Sequence, residues 1–337
     1  MHSDEFFMER CIQLAKLGMG EVAPNPLVGA LIVHKGEIIG EGYHEKYGFA
    51  HAEVNAINSI KDPSLLKEST IYVSLEPCVH YGKTPPCVLL LTKIKRVVIG
   101  SLDTFSKVNG KGIQILREKG VEVKVGVLEE ACRALNKHFF TFNESHRPYI
   151  LLKWAQSMDG FIDKDAKQYW VSAPETQTIV HKLRSEYQGV LVGRKTVQSD
   201  NPTLTVRAYR GKNPIRIVID SELRLKQESL IFNDEAPTVI LNTQKQNHTD
   251  NLSWIKLEKV TSSTIIDAIY KLGIQSIIIE GGRKTLQSFI DAKLWDEALV
   301  IQGEECLVSG TKAPTLNTQA TEEIDFFGDQ ILTYYNV

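Results

Sequence analysis

Short apolar runs and helical patterns alternate along most of the chain, and this alternation restricts the possible folds more than any other feature of the sequence. Apolar residues recur at helical spacing from Glu5 to Leu17, and two short strands, at 27–33 and 37–42, flank a turn at Lys35-Gly36. The predicted elements that follow are helices at 52–60, 87–93, 112–119 and 129–137, and strands at 70–75, 96–100 and 121–125. Strands that alternate with helices of this length favour a mostly parallel sheet with helices on both faces.

A polar stretch at 143–148 interrupts this pattern and ends in a proline, which is typical of a boundary between elements. The alternation then restarts, with predicted strands at 149–153, 190–192, 215–219, 238–241, 276–279 and 297–301 and helices at 174–187, 263–272 and 284–291. A chain of 337 residues also exceeds the usual size of a single hydrophobic core. We therefore predict two α/β domains, residues 1–146 and residues 147–337.

The charge balance argues against a polyanionic partner. The chain has 39 lysines and arginines against 41 aspartates and glutamates, a formal net charge of −2, whereas a protein that binds nucleic acid through its phosphates normally has a basic excess. We expect no nucleic-acid partner.

No apolar run approaches the roughly 20 residues that span a bilayer, and the start lacks the pattern of a signal peptide, so we expect no membrane association. Five cysteines do not indicate a disulfide framework, and the cytoplasm is the expected compartment.

Three potential metal ligands come from two segments of the first domain. His51-Ala52-Glu53 is followed by Cys78 and then by Cys87. Two thiolates and one imidazole suit Zn²⁺ and leave its fourth position for a water, which loses a proton near neutral pH when zinc binds it. Glu53 is the natural proton carrier for a deamination. Because residues i and i+2 lie roughly 200° apart around a helix, the motif predicts that a helix begins at His51.

Other interpretations of this residue set are open. Cys78 and Cys87 are consistent with ordinary buried cysteines, and an isolated His-x-Glu pair is common. A closed structural zinc site would take His80 as its fourth ligand, although the spacing matches no familiar zinc finger. A structural site has no use for an unligated carboxylate beside the metal, however, so Glu53 favours a catalytic centre.

The same residues resemble a known family. His-x-Glu followed by Pro-Cys is the signature of the zinc nucleobase deaminases, although eight residues separate Cys78 from Cys87 here instead of the usual two. The segments 24–30 and 76–87 resemble the pyrimidine deaminase domain of the bifunctional deaminase/reductase family of riboflavin biosynthesis, which has a cytidine-deaminase-like α/β/α fold. The resemblance implies substrate contacts at Asn25, His44, Lys83 and Asp103.

The second domain has a Gly-Gly pair and dispersed basic residues in place of a Gly-x-Gly-x-x-Gly motif. Glu280-Gly281-Gly282 ends a predicted strand and opens a helix at about Lys284, where free backbone N–H groups favour a phosphate. Lys153, Arg184 and Arg207 come from three separate elements and would converge on a sugar phosphate. Taken singly, each is better explained as a solvated surface charge.

The segments 153–160 and 196–207 extend the resemblance to the reductase half of the same family, a dihydrofolate-reductase-like α/β domain that uses NADPH. The resemblance implies further substrate contacts at Gln168, Arg184, Leu204, Arg207 and Glu280. It implies NADPH contacts at Ala155, Trp170, Thr196, Asp200, Ser221, Gly282, Arg283, Lys284, Thr285, Leu286, Gln287 and Ser288. Asp200 and Glu280 are the candidates for a proton donor in the reduction.

The chain departs from the family pattern at three places. Asp-Thr-Phe-Ser at 103–106 replaces the frequent Asp-Pro-Asn-Pro, so the contact of that asparagine is lost at Phe105. Gln168 stands where a serine is usual, and Gly-Glu-Glu-Cys at 303–306 replaces a familiar Ala-Pro-Lys run. These departures affect the pockets and leave the expected folds unchanged.

Together these features predict a cytoplasmic homo-oligomer that binds one Zn²⁺ per chain and NADPH. We expect it to deaminate 2,5-diamino-6-ribosylamino-4(3H)-pyrimidinone 5′-phosphate and then to reduce the ribosyl group of 5-amino-6-(5-phosphoribosylamino)uracil to the ribityl form. One alternative is a deaminase of RNA or DNA bases, which the net acidity and the reductase-like half disfavour. Another is a non-catalytic zinc-stabilised scaffold, which Glu53 disfavours.

Overall fold

The computed structural model describes residues 2–79, 86–104, 110–164 and 169–336. The chain divides into two units, residues 1–146 and 147–337, and each unit is built around its own sheet. Four positions singled out in the sequence lie outside the described residues, namely His80, Lys83, Phe105 and Gln168.

The first unit contains a five-stranded sheet. Its strands are β1 (Gly29–His34), β2 (Glu37–Tyr43), β3 (Thr70–Leu75), β4 (Arg96–Ser101) and β5 (Glu122–Val125). They lie in the order β2-β1-β3-β4-β5, with β1 antiparallel to both of its neighbours and β3, β4 and β5 mutually parallel. The sheet is therefore mixed, where the sequence predicted a mostly parallel one. Lys35 and Gly36 both have positive φ, at 49° and 87°, and such a tight turn joins antiparallel strands.

Helices cover both faces of this sheet. They are α1 (Asp4–Lys16), α2 (Ala52–Asn58), α3 (Cys87–Leu91), α4 (Lys111–Glu118), α5 (Glu129–Leu135) and α6 (Lys137–Ser145). Phe7 of α1 and Cys132 of α5 pack on one face, and Ala56 of α2 and Leu116 of α4 pack on the other. The expected α/β/α fold is confirmed. The sequence predicted one helix from 129 to 137 where there are two, because the backbone of Asn136 leaves the helical conformation, with φ −110° and ψ 27°. The buried side chain of Asn136 bonds the backbone of Leu27.

The second unit contains a ten-stranded sheet. Its strands are β6 (Tyr149–Gln156), β7 (Gly189–Gly193), β8 (Ile215–Ile219), β9 (Thr238–Asn242), β10 (Asn247–His248), β11 (Leu252–Lys256), β12 (Ser276–Glu280), β13 (Glu297–Gln302), β14 (Glu322–Phe326) and β15 (Asp329–Tyr335). They lie in the order β10-β11-β9-β8-β7-β12-β6-β13-β15-β14. The seven strands from β11 to β13 in this order are parallel, and β10, β15 and β14 are antiparallel to their neighbours.

Helices again lie on both faces of the second sheet, as expected for an α/β unit. They are α7 (Gln177–Glu186), α8 (Arg194–Asp200), α9 (Ser262–Lys271) and α10 (Arg283–Asp291). Ile269 of α9 and Phe289 of α10 belong to the main core, and Val197 of α8 packs into a second cluster with Val190 and Val192 of β7. Within the described part of the chain, no helix combines the length and apolar character needed to cross a membrane.

Candidate active sites

The three predicted metal ligands of the first unit lie together. Nδ1 of His51 is 3.5 Å from Sγ of Cys78 and 3.3 Å from Sγ of Cys87, and the three ligand atoms all lie within 4.8 Å of one another. Tetrahedral coordination by zinc separates a nitrogen ligand from a sulfur ligand by about 3.6 Å. The cluster therefore has the donor types and the spacing that one zinc ion requires.

Two helix starts build this cluster. His51 is the N-cap of α2 and has an extended backbone, with φ −74° and ψ 164°, so that Glu53 falls in the first turn, as the sequence predicts. Cys87 is the first residue of α3, and its backbone N–H points at Sγ of Cys78 over 3.4 Å. His51 and Cys87 are far apart in sequence, and they lie close together because the first residues of α2 and α3 are neighbours in space.

The close approach of the ligand side chains shifts their pKa values. A hydrogen bond from the Cys87 thiol lowers the pKa of Cys78, and the same bond raises the pKa of Cys87. The hydrogen bond to Cys78 raises the pKa of His51. Glu53 is only 3% exposed, and this burial raises its pKa. Bound zinc would hold both cysteines as thiolates.

Asn25 and His44, two predicted substrate contacts, lie beside the cluster. The His44 ring is 5.4 Å from the His51 ring, measured between centroids. Nδ1 of His44 is 3.0 Å from the carbonyl oxygen of Ala50, and Nε2 is 3.1 Å from Nδ2 of Asn25. Because the carbonyl can only accept, Nδ1 carries the proton and Nε2 accepts from the asparagine amide. Burial lowers the pKa of His44, in keeping with this neutral form.

Asp103 comes from the strand next to the one that leads to Cys78. β3 and β4 are parallel, and Leu75 is paired with Ser101 in their register, so Cys78 and Asp103 both follow the same edge of the sheet. Asp103 is buried. The topology therefore brings this predicted substrate contact to the strand ends that carry the metal ligands.

A cavity of about 490 Å³ lies at the carboxyl ends of β6, β7 and β12 in the second unit. This is the edge of a parallel sheet where ligands usually bind. It is lined by most of the predicted reductase residues, namely Lys153, Ala155, Trp170, Arg184, Thr196, Asp200, Leu204, Arg207, Glu280 and Gly282. The volume is within the range of small-molecule sites.

A buried ion-pair network forms one wall of this cavity. Glu280 accepts two hydrogen bonds from Arg184, of 2.8 and 2.9 Å, and its Oε2 is 3.6 Å from Nζ of Lys153. Burial raises the pKa of Glu280, but the two cations outweigh this effect and bring the pKa to about 2. Two of the three cations expected to converge on a phosphate are therefore already paired with a carboxylate.

Arg207, the third cation, lies on the exposed side of the cavity. Its Nη1 contacts the Thr203 hydroxyl and lies 3.2 Å from Oγ1 of Thr205, and no carboxylate pairs with it among the described residues. Its backbone N–H donates to Nδ1 of buried His181 over 3.0 Å. His181 also lines the cavity and was not singled out in the sequence, although it precedes Arg184 by three positions on α7 and so shares its helix face.

The predicted NADPH contacts at 282–288 divide into two groups. Gly282 is the N-cap of α10, carries no side-chain cap and lines the cavity, and its N–H donates to Oγ1 of Thr196 over 3.1 Å. The helix start therefore offers backbone donors that suit a phosphate. Leu286, in contrast, is fully buried in the core, so its side chain cannot reach a ligand. Arg283 lines a separate cavity together with Asp159 and Lys312. Ser221 lines neither this cavity nor the one at the strand ends.

Each of the two units matches the model of a known protein family. Residues 1–101 match the family model of the cytidine and deoxycytidylate deaminase zinc-binding region, and residues 148–319 match that of the RibD C-terminal domain. The molecule is thus a zinc-dependent deaminase joined in one chain to a reductase.

The relatives match over both units together. Riboflavin biosynthesis protein RibD of Aquifex aeolicus is 38% identical over 95% of this chain and 92% of its own length, and that of Bacillus amyloliquefaciens is 39% identical over 93% and 87%. The crystal structure of the deaminase/reductase from Thermotoga maritima is 32% identical, covers 99% of both chains and superposes with a TM-score of 0.91. The chain belongs to the RibD family, the bifunctional deaminases and reductases of riboflavin biosynthesis that use zinc and NADPH.

Proposed function

We propose that residues 1–146 deaminate a diaminohydroxyphosphoribosylaminopyrimidine and that residues 147–337 reduce its deaminated product, 5-amino-6-(5-phosphoribosylamino)uracil. These are the substrates in the name of the related Thermotoga maritima enzyme. The observation that carries the proposal is the His51, Cys78 and Cys87 cluster with buried Glu53 in the adjoining helix turn. A ligand trio with an unligated carboxylate beside it suits hydrolysis and serves no structural purpose.

In the deaminase, the ring C–NH₂ group and one water become C=O and ammonia. Zinc held by His51, Cys78 and Cys87 would supply a water of low pKa. Glu53 takes the proton of that water and delivers protons to the ring and to the leaving amine. Asn25, His44, Lys83 and Asp103 bind and orient the pyrimidine and its phosphate.

In the reductase, the C1′–O4′ bond of the ribosyl ring breaks, C1′ gains a hydride, the ring oxygen gains a proton, and the open-chain ribityl form results. NADPH bound along Ala155, Trp170, Thr196, Asp200 and the helix start at Gly282, which all line the cavity, would supply the hydride. Lys153, Arg184, Leu204 and Glu280 line the cavity and contact the substrate, and Gln168, which lies outside the described residues, is a further substrate contact that the family resemblance implies. Arg207 binds the phosphate, because Arg184 and Lys153 are already paired with Glu280 whereas Arg207 is exposed.

Product analysis tests this function directly. Purified protein is incubated with the diaminopyrimidine ribosyl phosphate, with and without NADPH, and the products are identified by mass. Without NADPH we expect the uracil form alone, and with NADPH we expect the ribityl form. An unchanged pyrimidine under both conditions would contradict the proposal.

The zinc ligands themselves lead to a first prediction. Elemental analysis should find about one zinc per chain, and Cys78→Ala should lose most of it because one of the three predicted protein ligands is gone. Cys306→Ala is the matched control, since that cysteine is exposed and distant in sequence from the cluster. Full zinc occupancy in Cys78→Ala would remove this residue from the site.

Arg207→Ala leads to a second prediction. Loss of a charge-assisted hydrogen bond to the phosphate should raise the reductase KM about tenfold or more, with little change in NADPH affinity. Steady-state kinetics with phosphorylated and dephosphorylated substrate would show the effect only for the former. Arg210→Ala, an exposed arginine three positions away, is the control. Weakened NADPH binding together with equal effects on both substrates would instead move Arg207 to the cofactor site.

We also propose that the protein is a cytoplasmic homo-oligomer. A reducing compartment would keep Cys78 and Cys87 available as metal ligands. Light scattering of the zinc-loaded protein would measure its mass in solution, and a monomeric mass would contradict the oligomer.

A further inference from the structure

Glu76 has no role in the chemistry described so far, yet it is a buried carboxylate two residues before Cys78. It is 3% exposed. Its Oε2 accepts hydrogen bonds from the backbone N–H groups of Asp103, over 3.4 Å, and Gly110, over 2.9 Å, and its Oε1 accepts one from Gly112 over 3.0 Å. Burying a carboxylate is unfavourable unless it is hydrogen-bonded, so these three donors and the carboxylate hold one another in place.

The three donors connect two different parts of the first unit. Asp103 follows the end of β4, whereas Gly110 and Gly112 belong to the start of α4. Gly110, the N-cap of α4, provides no side-chain cap, and the first N–H groups of a helix have no partner within it. The anionic Glu76 supplies the acceptor and also suits the positive end of the helix dipole. Glu76 thereby connects the end of β4 and the start of α4 through hydrogen bonds.

Two glycines at the start of α4 allow its backbone to lie close to the Glu76-Pro77 segment. A Cβ at Gly112 would lie 2.8 Å from the carbonyl oxygen of Pro77 and 3.2 Å from Oε1 of Glu76. Gly110 has φ +82°, a conformation that side chains disfavour. Two glycines thus let the backbone reach the Glu76-Pro77 segment, which leads directly to Cys78.

We propose that Glu76 is a positioning residue of the deaminase: it holds Asp103 in place for substrate binding at the strand ends that carry the zinc ligands. This inference rests on the proposed substrate contact of Asp103. Glu76 acts through backbone groups and requires acceptor oxygens on both sides of its carboxyl group. A glutamine would accept at one oxygen only, and its NH₂ group would face a backbone N–H donor.

The test uses the full-length zinc-loaded protein with Glu76→Gln, Glu76→Asp and the control Glu118→Gln. Glu118 is an exposed carboxylate at the end of the same helix, bonded to Gln114. For Glu76→Gln we expect a deaminase KM raised about tenfold or more, as for other lost charge-assisted bonds, with a smaller effect on kcat. Zinc content and reductase kinetics should remain unchanged. Glu76→Asp, which keeps the charge on a shorter side chain, should recover part of the KM.

Amide hydrogen exchange provides a readout that does not depend on the substrate. In Glu76→Gln, exchange at the amides of Asp103, Gly110 and Gly112 should be faster, whereas Glu118→Gln should leave it unchanged. Wild-type KM or wild-type exchange in Glu76→Gln would overturn the inference, and so would loss of zinc, which would make Glu76 a support for the metal ligands. If the wild type does not deaminate the pyrimidine, the proposed function fails, whereas the exchange experiment still decides whether Glu76 holds Asp103.

Discussion

Glu53→Gln should lower the deamination rate by at least about 10²–10⁴-fold, the usual contribution of a general acid–base group. The glutamine keeps the size of a side chain that is buried in the first turn of α2, but it cannot take a proton from water and pass it to the ring. Ammonia release by the zinc-loaded protein measures the effect. Zinc content and the reduction of supplied, already deaminated substrate should match the wild type.

A matched control separates the role of Glu53 from a general effect of charge. Glu37→Gln removes an exposed carboxylate from β2 of the same unit and should leave deamination unchanged. Normal deamination by Glu53→Gln would show that another group moves the proton. Loss of zinc in that variant would show instead that the carboxylate supports the metal site.

Arg184→Ala should lower the free energy of unfolding of the second unit by about 3 kcal/mol or more, because removing one partner of a buried ion pair leaves a charge without adequate compensation. Both side chains of the Arg184–Glu280 pair are 11% exposed. Lys153 remains 3.6 Å from Glu280 and offsets only part of the loss. All four tryptophans, Trp154, Trp170, Trp254 and Trp295, lie in this unit, so their fluorescence during urea unfolding reports its stability.

Two further variants test the cause of this loss. Lys182→Ala on the same helix removes a lysine whose side chain is 53% exposed and 3.9 Å from Glu186, and it should cost less than about 0.5 kcal/mol. Adding Glu280→Gln to Arg184→Ala should restore part of the stability, because the carboxylate is no longer charged. An Arg184→Ala protein as stable as Lys182→Ala would contradict the importance of the buried pair.

Local patterns in the sequence predicted the elements that have a strong periodicity. The helix start at His51 was predicted because His51 and Glu53, two positions apart, would point in nearly opposite directions in the middle of a helix. The structure confirms this helix start. The α8 helix was missed because its seven residues are mostly polar and only Val197 is buried. The β14 and β15 strands were also missed. β14 is an exposed edge strand without an apolar alternation. These two strands form because each has a neighbouring strand that offers hydrogen bonds, which a local pattern does not reveal.

The family, the order of the two units and the three candidate metal ligands could be predicted from the motifs alone, because a metal site requires particular donor atoms and its motif is therefore visible in the chain. The distribution of charge in the second unit could not be predicted in this way. The sequence suggested that Lys153, Arg184 and Arg207 would share one phosphate. The fold places Glu280, 96 positions from Arg184, between two of these cations and leaves Arg207 exposed. Pairing of charges depends on which distant carboxylate is buried beside them, and this depends on strand order and helix packing, not on the spacing of residues along the chain.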